Sequence, residues 1–378
     1  MHVMRTYGKH GGEQQLSQYL GAQPYGSIKE MFTFLYRDDE CAELFRMRVS
    51  KLPFINLLPW AVRSGTAWRE LLVLLPILPW LVVRFVWILL RNRPSVCVVH
   101  GFQAAILVWP VAILLRRVRW IYVHRITKSS IGSHRLFRII YRPFDVVAGN
   151  SKAVKDSLKP LVEDARLLAL ENGLDWRSFD ARAELLLTPV PEIRGRVLVV
   201  VGRLLPHKGQ TFLIEVLECL DPNLGHIDLW ILGDGIEMDS LQSRVAESSV
   251  ADRIHLLGHR EDVPAVLRLA DIFVNASAWE GMSNAVLEGM AAGLPAVVAD
   301  APGVSECHVD GVTGFIVKRQ VADFVIALSR LLGDAELCEH IGNAARRHVK
   351  EYYSMEASRK RYLVLFERLT GVNICVES

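Results

Sequence analysis

Two glutamates eight positions apart, Glu280 and Glu288, stand in WEGMSNAVLEGMAAGLP at what the pattern predicts to be the entry of a helix. The apolar run 272–276 reads as a buried strand, Ser283 and Asn284 as capping residues, and Val286, Leu287 and Met290 as one helical face. Gly293 ends the helix and Pro295 follows it. On this reading the backbone N–H groups of Met282, Ser283 and Asn284 point outward with the positive end of the helix dipole, which makes an anion site. Carboxylates beside such a site repel a bare phosphate, so their chemistry is to bind hydroxyls of something attached to it. A nucleotide sugar has that form, with phosphates flanked by two polyols. The plain alternative is an ordinary N-terminal charge and a solvated helix residue.

Other strand ends carry matching chemistry. GRLLPHKG, residues 202–209, places Arg203 for bidentate contact with phosphate oxygens and Lys208 as a mobile point charge. LGDG, residues 232–235, sets Gly233, Asp234 and Gly235 in a tight turn that can accommodate a nucleoside. It is neither a dinucleotide fingerprint nor a Walker A loop, which weakens hydride transfer and P-loop chemistry. In YGKHGGEQQL, Gly11 and Gly12 allow close backbone approach to a phosphate before a helix expected to begin at Glu13 or Gln14; a merely structural turn is the alternative. Arginines and lysines in loops are also commonly just solvated.

The elements that must position these residues form two series of short apolar runs alternating with helical patterns, the mark of parallel α/β sheets. The first comprises residues 2–4, 31–36, 96–100, 120–124 and 145–150; the second 196–202, 227–233, 253–258, 271–276, 295–299 and 314–317. A boundary near residue 190 is expected in the proline-containing LLLTPVPEIRG. The fold class is therefore α/β, two Rossmann-like doubly wound domains expected to bind ligands outside the carboxyl ends of their strands, in a central cleft.

At 378 residues and 51% hydrophobic content the chain can bury two cores, and disorder is excluded. Its six cysteines show no CxxC spacing and no signal-peptide pattern accompanies them, so neither a disulfide framework nor a zinc site is suggested and a reducing cytoplasm is expected. Met1 lies so close to the glycine loop that the first strand must be short. Charge is uneven: residues 1–190 hold 26 Lys and Arg against 15 Asp and Glu, leaving 18 against 26 for the remainder. No acidic residue lies between Glu70 and Asp145, where arginines abound, including Arg84, Arg91, Arg116, Arg117 and Arg119. Such a surface seeks phosphates. The same region contains LLVLLPILPWLVVRFVWILL, residues 71–90, interrupted by Pro76, Pro79 and Arg84. It reads as a helix lying in a membrane interface, a buried helix, or a span; Trp60, Trp68, Trp80, Trp87 and the arginines favour the interface. Nucleic acid is not the expected partner, since no stacking platform or recognised motif interleaves the basic residues.

Taken together, YGKHGG, YVHRITKSS, FDVVAGNSKAV, ENGLDWRSF, GRLLPHKG, LGDG, GHREDVPAVLRLADIFVNAS and the E-x7-E stretch resemble glycosyltransferase family 4, the retaining nucleotide-sugar transferases of GT-B architecture, over almost the whole chain. The resemblance implies that Glu280 faces the donor sugar, Glu288 binds ribose hydroxyls, and Arg203 and Lys208 clamp the diphosphate, with backbone donors from Met282, Ser283 and Asn284. It makes His124 the histidine lining the reaction centre, with His100 a second candidate; a strand-end histidine satisfied by backbone is the plain reading of His124. It further implies an acceptor-binding domain over residues 1–190, which its apolar, arginine-rich segment is expected to bring to a membrane, a nucleotide-sugar domain over 191–350, and a C-terminal helix over 351–378 packing back toward the first. No DxD motif calls for a metal and no cofactor is expected beyond the donor, a UDP-sugar by default. The expected partners are a nucleotide sugar, a glycan or lipid-linked acceptor and an anionic membrane surface, the expected place the cytoplasmic side of the cell membrane, peripherally bound. Open alternatives are a GT-B phosphorylase, a nucleotide-sugar epimerase and a non-catalytic membrane-bound scaffold.

Overall fold

The computed structural model describes residues 1–4, 11–21, 30–36, 42–45, 54–58, 76–125 and 134–373. Trp60, Trp68, Lys128, Cys41, Cys375, residues 71–75 and the YGKH part of the first glycine loop lie outside the described residues. Among the described residues no disulfide joins the cysteines. The chain forms two compact units, Met1–Gly173 with Ser358–Ser378, and Leu174–Ala357. The division thus falls at Gly173 rather than near residue 190. The proline-containing stretch belongs to the second unit, because the Leu187 and Thr188 amides donate to Asp262 Oδ2 at 2.7 and 3.2 Å. Asp180, still earlier in the chain, pairs with Arg346 at 2.8 Å.

In the first unit the strands are β1 His2–Met4, β2 Phe32–Tyr36, β3 Phe54–Leu58, β4 Val96–His100, β5 Arg119–His124, β6 Val146–Gly149 and β7 Leu167–Ala169. They form one sheet in the order β3-β2-β1-β4-β5-β6-β7, every pair parallel. Strands buried on both faces read as continuous apolar runs, as VCVVH and RWIYVH do. Helices among the described residues include α1 Gly11–Gly21, α2 Leu78–Asn92, α3 Phe102–Leu114, α4 His134–Tyr141 and α5 Lys152–Leu158, with part of the last helix of the chain. Helix α2 begins with Pro79 in its first turn, where a missing N–H costs nothing, and ends at Arg93 in the left-handed region. It buries Leu81, Phe85, Ile88 and Leu89 in the core with Val99, Trp120 and Tyr122, while Trp80, Val83, Trp87 and Leu90 face outward. No helix among the described residues is long and apolar enough to cross a membrane.

The second unit has β8 Arg196–Val201, β9 Ile227–Leu232, β10 Ile254–Gly258, β11 Ile272–Asn275, β12 Ala296–Ala299 and β13 Phe315–Val317. The order is β10-β9-β8-β11-β12-β13, again all parallel. Its helices are α6 Trp176–Arg182, α7 Gln210–Glu218, α8 Met238–Ala246, α9 Val263–Leu267, α10 Asn284–Ala292, α11 Val321–Leu332, α12 Ala335–Tyr352 and the start of α13 Met355–Thr370. Chain direction across the sheet reverses between β8 and β11. In doubly wound sheets ligands gather at the carboxyl side of that reversal.

His308, which follows β12, is buried at 7% exposure with Nδ1 3.0 Å from the Thr313 carbonyl oxygen. That bond places the proton on Nδ1, and Nε2 is buried without a hydrogen-bond partner. Burial therefore pushes the imidazole pKa down to about 4. The unfolded chain binds a proton here below the ordinary histidine value of about 6.5, whereas the folded chain does so only below about 4. The stability contributed by the neutral ring is thus complete above pH 6.5 and lost as pH falls toward 4, by about 3 kcal/mol in total. His308→Asn, which keeps a donor for Thr313 but does not titrate, is expected to flatten that part of the stability profile in denaturant titrations. Parallel profiles for variant and parent would refute the assignment.

Candidate functional site

The carboxyl ends of β8 and β11 carry the charged residues of the site. After β8 the chain runs through Gly202 and exposed Arg203 to buried Leu204, then into a 3-10 turn at Pro206–Lys208. Gly209 ends that turn at φ 74° and opens α7; a Cβ there would meet the Ala276 carbonyl oxygen at 2.5 Å, so glycine lets the β8 and β11 loops touch. Contact is sealed by the Ala278 amide donating to the His207 carbonyl at 2.7 Å and by the His207 ring stacked on Trp279, centroids 4.1 Å apart and 9° from parallel. Burial, and then the Lys208 ammonium, lower the His207 pKa below its ordinary value, which favours the neutral ring in this stack.

This junction brings Lys208 and Glu280 together. Lys208 Nζ lies 2.8 Å from Glu280 Oε2, with side chains 17% and 10% exposed. The other carboxylate oxygen accepts from Ser277 Oγ at 3.0 Å and lies 3.4 Å from Asn275 Nδ2. Asn275 is itself fixed, its Oδ1 accepting from the Ser277 amide at 2.9 Å. Glu280 is therefore aimed from both sides, by a cation from β8 and by a polar clasp from the end of β11. Asn275 and Ser277 were not among the expected site residues. Their signal is a polar side chain closing an otherwise apolar strand, IFVN, at its carboxyl end.

Helix α10 begins where expected, with Ser283 at the N-cap and Gly293 ending it at φ 80°. Glu280 precedes the helix and Glu288 lies in its second turn, half-exposed. One expectation is corrected. The Ser283 amide is not an outward donor, because it is bonded to the Gly303 carbonyl at 3.1 Å, and Met282 is buried. The loop after β12 reaches this far because Gly303 passes against the Glu280 and Gly281 carbonyls, where a Cβ would come within 2.4 and 2.6 Å. The Ser283 hydroxyl makes no cap and instead lies 3.5 Å from Asn275 Nδ2.

The LGDG turn is bound to the β8 loop rather than standing apart. Gly202 and Leu204 amides donate to the Leu232 and Asp234 carbonyls, both at 2.9 Å, and the Gly233 amide to the Gly258 carbonyl at 2.8 Å. Gly233 has φ 140°, and a Cβ on it would fall 1.9 Å from the Gly202 carbonyl oxygen. Asp234 is exposed and its Oδ1 accepts from the Gly235 amide at 2.7 Å.

The remaining expected residues belong to the first unit. Gly11 and Gly12 form the first turn of α1, which starts two residues earlier than the pattern predicts; their amides are in the turn that has no intrahelical acceptors. His124 ends β5 at 6% exposure, its Nδ1 3.4 Å from each of the Tyr122 and Tyr141 hydroxyls. His100 ends β4 on the opposite face, with Nε2 3.2 Å from His2 Nδ1 and Nδ1 3.4 Å from Arg125. Burial, then the Arg125 cation, hold His100 well below the usual imidazole range.

Comparison with known proteins identifies relatives of this arrangement. The family model for "Glycosyl transferases group 1" matches residues 195–334, which hold Arg203, Lys208, the LGDG turn, Glu280 and Glu288. The lipopolysaccharide core biosynthesis glycosyltransferase LpsE of Rhizobium meliloti is 30% identical over 170 residues, 45% of this chain and 49% of LpsE. A UDP-Gal:alpha-D-GlcNAc-diphosphoundecaprenol alpha-1,3-galactosyltransferase of Escherichia coli is 29% identical over 187 residues, 47% of this chain and 48% of the relative. The chain spans about half the length of these curated relatives. The crystal structure of Anabaena HepE in complex with UDP and glucose matches with TM-score 0.79 at 18% identity, over 98% of this chain and 99% of HepE, and shows a shared fold.

Proposed function

We propose, from the premise that this chain is a GT4-like relative of the group 1 glycosyltransferases with the GT-B fold, that it is a retaining glycosyltransferase. It moves a sugar from a nucleotide sugar, a UDP-sugar in the first instance, to a glycan or lipid-linked saccharide in the synthesis of a cell-surface polysaccharide, at the cytoplasmic side of the membrane. The observation that carries this reading is the Lys208–Glu280 pair, held at 2.8 Å where the second sheet reverses direction. Support for donor and acceptor comes from the relatives: HepE is named with UDP and glucose, and the galactosyltransferase with a diphosphoundecaprenol acceptor.

The chemistry follows from charge. Breaking the bond between the anomeric carbon and the diphosphate oxygen leaves an oxocarbenium-like sugar and a nucleoside diphosphate with charge growing on the leaving oxygen. Lys208, held by Glu280, and the exposed Arg203 offer positive charge to that oxygen, which lowers the barrier. Glu280 orients the donor sugar through its hydroxyls, and Glu288 holds the ribose. The acceptor hydroxyl forms its new bond on the face the diphosphate leaves and gives its proton to the departing phosphate. His124 enters at the end of β5 in the first unit, where the acceptor binds.

Release of nucleoside diphosphate from a panel of UDP-, GDP- and ADP-sugars, with and without an undecaprenyl-diphosphate saccharide, tests this reading. Release that requires orthophosphate instead of a saccharide would make the chain a phosphorylase, and epimerised sugar without release would make it an epimerase; no turnover with any donor would favour a scaffold. Glu288→Ala is expected to weaken donor binding roughly tenfold or more, the loss of hydrogen bonds to a charged group. Unchanged donor affinity in calorimetry would remove Glu288 from the ribose.

A further inference from the structure

Helices α2, α3 and α4 cover one face of the first unit's sheet and pack side by side over the core. Trp109 Nε1 on α3 donates to the Ile139 carbonyl on α4 at 2.9 Å, and residues of all three helices meet in one apolar cluster. A helix with one face on a core normally turns a polar face to water. These do not. The outer stripe of α2 is Trp80, Val83, Trp87 and Leu90, spaced to fall on one side, with Trp87 56% and Leu90 61% exposed. Helix α3, FQAAILVWPVAIL, carries no charged residue at all, and Leu114 at its end is 76% exposed. On α4, Leu136 and Ile139 are exposed beside Arg135 and Arg138.

The charges among these apolar side chains have one sign. Arg84 lies over the Trp80 ring at 5.2 Å and Arg91 over Trp87 at 5.3 Å, while Arg93, Arg116 and Arg117 are exposed where α2 and α3 end. No acid occurs between Glu70 and Asp145, and Asp145 itself pairs with Arg119 at 3.1 Å. A symmetric dimer through this face would set arginines against arginines. An anionic bilayer meets both features, taking tryptophan and aliphatic side chains into the headgroup boundary and the arginines onto its phosphates.

We infer that the α2–α3–α4 face docks this protein on anionic lipid, with the helices lying along the membrane surface. The inference rests on the proposed lipid-linked acceptor only for its purpose, not for its physics. It is tested by flotation of the full chain with vesicles of equal parts phosphatidylglycerol and phosphatidylcholine, and with pure phosphatidylcholine. Binding to the anionic vesicles is expected at low salt and weakens as salt rises, since exposed charges are screened within about 8 Å at physiological ionic strength. Arg91→Gln, Arg116→Gln and Arg117→Gln together are expected to reduce binding roughly a hundredfold, about fivefold for each arginine removed from an anionic surface. Trp80→Ser with Trp87→Ser is expected to reduce binding to both vesicle types. All five side chains lie on the outer surface, and circular dichroism verifies folding. A parent protein that stays in solution with anionic vesicles at low salt overturns the inference, as does a tryptophan variant whose oligomeric state changes while its vesicle binding does not. Vesicle binding without nucleoside diphosphate release would sink the proposed activity and leave the docking face standing; release on a soluble saccharide without vesicle binding would do the reverse.

Discussion

Lys208→Ala is expected to cut turnover by roughly a hundredfold or more, the loss that follows removal of a charge contact made in the transition state. The ammonium is held 2.8 Å from Glu280 and mostly shielded from water, so its charge is neither diffuse nor strongly screened. Removing it leaves Glu280 with Ser277 and Asn275, which keep its position, so the second unit stays folded and the loss falls on the rate. Arg203→Ala is expected to give a comparable drop from an exposed position, with less effect on thermal stability. Lys208→Arg is not a conservative rescue, because a planar fork does not replace a compact ammonium in this pair. Turnover, donor affinity and thermal midpoint measured on all three variants separate the effects. Near-normal turnover in both alanine variants would remove the diphosphate clamp from the mechanism.

Gly233→Ala is expected to destabilise the second unit by roughly 3 kcal/mol or more and to abolish donor binding. Two costs combine. The residue sits at φ 140°, a conformation other residues rarely adopt, and the added Cβ would lie 1.9 Å from the Gly202 carbonyl oxygen, backbone against backbone. Relief requires the β8 and β9 loops to part, which breaks the hydrogen bonds from the Gly202 and Leu204 amides to the Leu232 and Asp234 carbonyls that flank Arg203. Gly311 provides the control: its φ is 70°, but a Cβ there meets nothing within 4 Å, so Gly311→Ala carries only the conformational cost of about 1 kcal/mol. Equal unfolding free energies for the two variants would show that the close approach does not matter.

Much of this arrangement is legible in the chain. Runs such as RVLVVV and AVVA are continuous apolar stretches, the pattern of buried parallel strands, and they lie within a residue or two of where the pattern puts them. The strands at Phe54–Leu58 and Leu167–Ala169 are not among the expected runs. The position of Glu280 and Glu288 about a helix start was likewise visible, since caps and glycine stops are local signals. What the sequence could not supply is who reaches whom. Gly303 occupying the Ser283 amide, and Asn275 clasping Glu280, depend on loops from neighbouring strands. The expected boundary near residue 190 failed for the same reason: prolines mark a loop, but Asp262 and Arg346 decide which core that loop joins.

The first unit is not contiguous, for its last helical segment begins at Ser358, after the whole of Leu174–Ala357. Ser358 donates to the Glu171 carbonyl at 2.9 Å, and Arg359 lies 3.6 Å from buried Glu30 and donates to the Tyr19 carbonyl. A ribosome adding roughly 5–20 residues each second therefore leaves the amino-terminal sheet without these partners for on the order of 10–40 s while the intervening unit is made. The order of completion is inverted relative to the order of synthesis: the unit begun second is whole first. Until Arg359 emerges, the carboxylate of Glu30 lacks its cation and the nascent first sheet exposes apolar surface, a period in which truncation, pausing or chaperone capture acts on one half of the protein alone.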